Sequence, residues 1–214
     1  MVRSWGWVVW IVVVAAALAV TMKFVPPVRA QVGAGLVLNE ILAGPARDWD
    51  GDGVFDSRGD EWLEVRNAGA AAVDLAEYRV ADADSTIRAG LTGTLMPGDV
   101  AVVTGTFAVA WQRALGRPAT GLSLNNAGDT IFLFRVEGAD TVVVDQKAYN
   151  SIEGASDRST GRFEEGWVLF DALNKYTGSG EPKGTGCPPT PGGANGCTTP
   201  VSRTSWGWIK ETYR

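Results

Sequence analysis

Between positions 48 and 61 the chain reads Asp-Trp-Asp-Gly-Asp-Gly-Val-Phe-Asp-Ser-Arg-Gly-Asp-Glu. Asp48, Asp50, Asp52 and Asp56 offer side-chain oxygens at alternate positions, and Val54 adds a backbone carbonyl. That spacing wraps oxygen around a hard cation such as calcium. Gly53 follows Asp52, where such loops need a sharp turn at positive φ. Without a counter-ion the aspartates repel one another. The twelfth position, which carries a bidentate Glu in the helix-loop-helix version, is Gly59; Asp60 and Glu61 arrive one and two residues late and complete the expected ligand set. Leu42-Ala43-Gly44-Pro45 breaks any entering helix, so the loop is expected to stand free between strands. The plainer alternative is a solvated acidic turn.

Other chemistry is narrower. The chain has no histidine, which excludes Ser-His-Asp, Cys-His and histidine-based metallohydrolase sites. Glu40, Glu61 and Glu64 are the candidates for a carboxylate pair; their places on strands favour structural hydrogen bonding over catalysis. Gly51-Asp52-Gly53 and Gly178-Ser179-Gly180 lack the Gly-Lys-Ser/Thr that cradles phosphate. Cys187 and Cys197, in a Pro/Gly-rich stretch of a chain read as exported, are expected to form a disulfide. Two cysteines without histidine cannot build a structural zinc site.

The elements that must position these groups read as all-β. Apolar and β-branched runs at 35–42, 61–65, 73–80, 99–104, 130–136, 141–149 and 166–170 alternate with Gly, Asp, Asn and Pro clusters, which predicts a sandwich. Alternation puts Glu61, Leu63 and Val65 on an apolar face and Trp62, Glu64 and Arg66 on a face that offers charge to solvent. Thr130-Ile-Phe-Leu-Phe, apolar on both faces, predicts a central, well-covered strand. Phe107 to Leu115 is the one convincing helix, with Phe107, Trp111, Ala114 and Leu115 at helical spacing and Gly116 at the stop.

Three segments follow from composition: residues 1–30, 31–197 and 198–214. Arg3, the apolar run Trp7 to Val20 and Val28-Arg29-Ala30 predict a signal peptide cleaved before Gln31; an uncleaved membrane anchor is the rival, favoured by the long spacer Lys23 to Pro27. Losing Arg3, Lys23 and Arg29 takes the formal charge from -5 to -8. An acidic surface argues against nucleic acid as a partner. Residues 198–214 are aromatic and basic. Trp206, Ile209 and Tyr213, with Trp208, fit a short amphipathic helix from Ser205, weakened by Gly207. Three roles stay open for it: folding back on the domain, docking to a partner or envelope surface, and lying on anionic lipid.

In order along the chain stand Leu38-Asn39-Glu40-Ile41, Asp60 to Gly69, Val73-Asp74-Leu75 with Tyr78 and Asp82, Leu95 to Asp99, Leu124 to Thr130, Val144-Asp145 with Tyr149, and Pro191 to Asn195. In that order and spacing the stretch from roughly 35 to 196 resembles a lamin-tail domain of the bacterial exported type. Ala68 stands where such domains often carry Pro, and Glu77-Tyr78 where they often show Gly-Trp. The resemblance implies an immunoglobulin-like β-sandwich, a fold that hosts many functions. The acidic loop resembles dockerin-type and thrombospondin-type calcium repeats.

The expectation is therefore a non-catalytic, extracytoplasmic binding or scaffold protein, secreted or envelope-associated and stabilised by calcium. Lamin-tail-like domains also occur beside secreted hydrolases, so an accessory role is implied as well. A carbohydrate-binding module is the first rival, and it needs two of Trp49, Trp62 and Trp167 coplanar and exposed. A carboxylate hydrolase is the second, and it needs two acids facing a cleft.

Overall fold

The computed structural model describes residues 35–138, 140–164 and 166–197. Residues 1–30 and the tail residues Trp206, Trp208, Ile209 and Tyr213 lie outside them. The strands are β1 (Leu36–Leu42), β2 (Trp62–Asn67), β3 (Val73–Asp74), β4 (Tyr78–Ala81), β5 (Ile87–Gly90), β6 (Thr94–Leu95), β7 (Val100–Thr104), β8 (Gly128–Glu137), β9 (Asp140–Asn150), β10 (Ser159–Phe163) and β11 (Gly166–Phe170). One helix, α1 (Gly105–Ala114), follows β7. A five-stranded antiparallel sheet, in the order β11-β10-β1-β2-β7, faces a four-stranded one, β5-β4-β8-β9; β3 and β6 pair separately. This is an all-β, immunoglobulin-like sandwich.

The inner faces meet as expected. Leu38, Leu63 and Val65 from one sheet and Val80, Ile131 and Leu133 from the other are almost wholly shielded from water. Burying side chains of this size contributes about 1.5 to 3 kcal/mol each. Asp145 of β9 joins the sheets by polar contacts. Its Oδ2 accepts from the Leu38 N–H at 2.9 Å and from Arg162 at 2.8 Å.

The sequence-based expectations need four corrections. The outer face of β2 is not solvated: Trp62 and Glu64 are fully buried and only Arg66 is exposed, because chain from residues 43–60 and 187–196 covers that face. On β8, Ile131 and Leu133 are buried, but Phe132 and Phe134 are only half covered and stack on each other at 5.8 Å. The run expected at 73–80 is broken by a 3₁₀ turn, Leu75–Glu77, capped by the Asp74 carboxylate. In α1 the buried positions are Gly105, Ala108 and Gln112, while Leu115 is exposed at the C-cap.

Strand β1 carries a register irregularity between Leu38 and Glu40. A bulge turns an extra residue toward the same side as its neighbour. Here Glu40 becomes the cross-strand partner of Glu64 on the outer face, and Asn39 reaches the Glu64 carboxylate at 2.5 Å.

Candidate metal centre

The loop between β1 and β2 lies over the outer face of the five-stranded sheet, pinned at both ends. Trp49 packs on Trp62 with ring centroids 6.0 Å apart. Asp157, from the loop before β10, accepts from the Ala46 N–H, the Arg47 side chain and the Trp49 indole, each at 2.9 Å. Asp157 was not legible as part of this site: nothing in its local sequence points to a loop 108 residues away.

Within the loop, carboxylate oxygens of Asp48, Asp50 and Asp60 lie within 4.8 Å of one another. Asp60 organises the backbone, accepting from the N–H groups of Trp49 (2.6 Å), Asp50 (3.0 Å) and Asp56 (2.7 Å). Asp48 accepts from Gly51 and Gly53, and Gly51 and Gly53 both hold positive φ. Among the described residues none of the three carboxylates enters an ion pair with Lys or Arg. Burial raises the Asp50 carboxyl above its ordinary range, and the charges of Asp52 and Asp60 push the same way. The Thr106 hydroxyl and the Asp52 N–H pull the Asp50 carboxyl back down, so hydrogen bonds relieve part of the repulsion. Three convergent hard oxygens without a cationic side-chain partner fit a divalent cation.

Of the seven residues expected as ligands, the fold gathers Asp48, Asp50 and Asp60. Asp52 and Asp56 stand exposed on the rim, each accepting from the N–H two residues on, Val54 and Arg58. Val54 is also on the exposed side. Glu61 is a correction. In extended chain successive side chains point to opposite sides, so with Asp60 turned toward the loop, Glu61 turns away. Its carboxylate accepts from the Leu124 N–H at 3.2 Å, in a cleft that Tyr149 and Arg88 also line. Burial pushes it up to about 8, against the pull of the Leu124 and Ser123 N–H groups.

The other acids are occupied structurally. Glu40 accepts from the Ser159 hydroxyl at 2.5 Å, from the Thr190 hydroxyl at 2.6 Å and from the Thr190 N–H at 3.0 Å. Glu64 accepts from Asn39 and from the Gly192 N–H at 2.7 Å. Burial lifts Glu40 to about 7; burial and then the neighbouring Glu40 lift Glu64 well above the usual range. Neither faces an open cleft. The two therefore hold the closing segment 190–195, which the Cys187–Cys197 disulfide, with Cα atoms 4.8 Å apart, ties into a loop.

The tryptophans expected as a sugar platform do not make one. Trp62 is buried, Trp49 is tilted 57° to it, and the Trp167 ring has Lys147 and Arg162 each 4.9 Å from its centroid. Among the described residues no helix is long and apolar enough to cross a membrane.

The family described as Lamin Tail Domain matches residues 29–151. No curated protein and no solved structure matches the chain.

Proposed function

Because the chain belongs to the lamin tail domain family, we propose that it is a non-catalytic binding or scaffold protein of the bacterial exported type, whose sandwich is stabilised by calcium in the 48–60 loop. The observation that carries this reading is the convergence of Asp48, Asp50 and Asp60 on one point. Those three carboxylates would hold the ion, which supplies the positive charge that relieves their repulsion. The loop resembles dockerin-type calcium repeats in this respect. Calcium suits it better than magnesium, because calcium accepts irregular oxygen shells and magnesium demands a near-octahedral one. An extracytoplasmic setting, with residues 1–30 as the export segment, agrees with the disulfide between Cys187 and Cys197. The hydrogen-bonded burial of Glu40 and Glu64 supports a role without catalysis.

The test is the melting temperature of residues 31–214 in excess EDTA, then with calcium or magnesium. A ligand at a hundredfold excess over Kd stabilises the native state by about 2.7 kcal/mol. For a domain of this size that is a rise of roughly 5 to 10 °C. The rise is expected with calcium, is expected to be lost in Asp60→Asn, and is not expected with magnesium. No shift with either ion would reduce the loop to a solvated turn.

A further inference from the structure

Strand β7 is an edge of the five-stranded sheet, and its hydrogen-bond parity fixes what that edge offers. The Gly105 N–H donates to Glu61 O, and the Asn67 N–H donates to Asp99 O. With Leu63 opposite Val103 and Val65 opposite Ala101, the bonded residues of β7 are therefore Ala101 and Val103. Val100 and Val102 turn their N–H and C=O groups the other way. Among the described residues these groups meet no hydrogen-bond partner.

The edge borders a crevice of about 1050 Å³. Leu75, Leu91 and Leu95 contribute to its lining, as do Gly193, Ala194 and Asn195 of the closing segment. Met96 and Phe163, 56 % and 38 % exposed, are large apolar side chains left open in the same lining. Free main-chain donors and acceptors beside an apolar trough are the two halves of a strand-addition site: the edge bonds the incoming backbone and the trough takes alternate side chains.

We propose that residues 198–214 of the same chain fill this site, adding a strand along β7 with Trp206 and Trp208 in the crevice. The closing segment delivers them there. Asn195 lines the crevice, and Cys197, two residues on, is fixed by its disulfide to Cys187. Extended, residues 198–206 reach up to about 30 Å. Trp206 and Trp208 are two apart, so a strand puts both indoles on one face, with side-chain-free Gly207 between them. The segment is also basic, with Arg203, Lys210 and Arg214 against one acid, Glu211, in a chain of formal charge -5. This inference is independent of calcium in the 48–60 loop.

The test is amide hydrogen exchange read residue by residue by NMR, on the full chain and on its Trp206→Ser/Trp208→Ser variant. The Val100 and Val102 amides are expected to exchange at least tenfold more slowly in the full chain. Ala101 and Val103, bonded to β2, are expected to stay protected in both and report that the sandwich is intact. Equal exchange at Val100 and Val102 in the two proteins overturns the proposal. Protection that grows with protein concentration overturns it too, by assigning the added strand to a second copy.

Discussion

At the scale of single residues the domain has invested acids in its interior. Glu40, Glu61 and Glu64 are all lifted above the ordinary carboxyl range by burial. The folded state therefore holds protons that the unfolded chain releases. Stability from these groups is complete below the unfolded value near 4.5, and it is lost as pH rises through the folded values of about 7 for Glu40 and about 8 for Glu61. The slope is up to about 1.4 kcal/mol per pH unit for each group. Glu40→Gln keeps the shape and can still accept from Thr190 while donating to a hydroxyl. Denaturant melts across pH 4 to 9 should show a flatter profile for this variant, with its largest gain over wild type above pH 7. A parallel profile would mean that Glu40 does not titrate in that window. The sequence showed these acids on strands and pointed to structural bonding. It did not show Glu40 and Glu64 facing each other, because that depends on the irregularity in β1 and on a cover more than a hundred residues downstream.

At the scale of elements, α1 does more than close an end of the sandwich. Gln112, 2 % exposed, donates to Arg88 O and Gly121 O at 2.8 Å and accepts from the Thr120 and Gly121 N–H groups. One amide thereby holds β5 and the loop after the helix. Gln112→Ala leaves buried backbone groups without partners, and should cost about 2 to 4 kcal/mol in denaturant unfolding. A loss below about 1 kcal/mol would show that water replaces the amide there. Helical spacing located α1 to within two residues at its start and caught Phe107, which packs on the core, and half-buried Trp111. It took in exposed Ala114 and Leu115 and passed over Gln112, since apolar periodicity gives no weight to a buried glutamine. The strands it found are those with dense β-branched runs, such as β1, β7 and β9. It missed β5 (Ile-Arg-Ala-Gly) and β10 (Ser-Thr-Gly-Arg-Phe), whose pairing is imposed by neighbours already in the sheet. The acidic loop was legible because local spacing alone brings Asp48 and Asp50 together. Glu61 was misplaced because its direction is set by β2.

At the scale of the whole molecule, the closing segment is held by three devices: the buried glutamates, Asn195 and the disulfide. Asn195 donates to Asn39 O at 3.1 Å and Arg162 O at 2.6 Å, bridging β1 and β10. Closing a loop of ten residues stabilises by about 2 to 3 kcal/mol in the chain-entropy account. The Cys187→Ser/Cys197→Ser variant should accordingly melt roughly 5 to 10 °C lower, with the core-strand amides losing protection by the same free energy. An unchanged melting temperature would leave the hydrogen bonds alone as the fastening.

The strand order carries one more consequence, for the chain as it is made. β1 lies between β2 and β10, and Ser159, which bonds Glu40, is 119 residues further along. At ribosomal rates of about 5 to 20 residues per second, that separation is on the order of ten seconds. For that interval β1 has one edge bare and Glu40 remains hydrated and charged. Among the described strands, the first to leave the ribosome thus waits for the last but one, β10, before its second edge is paired.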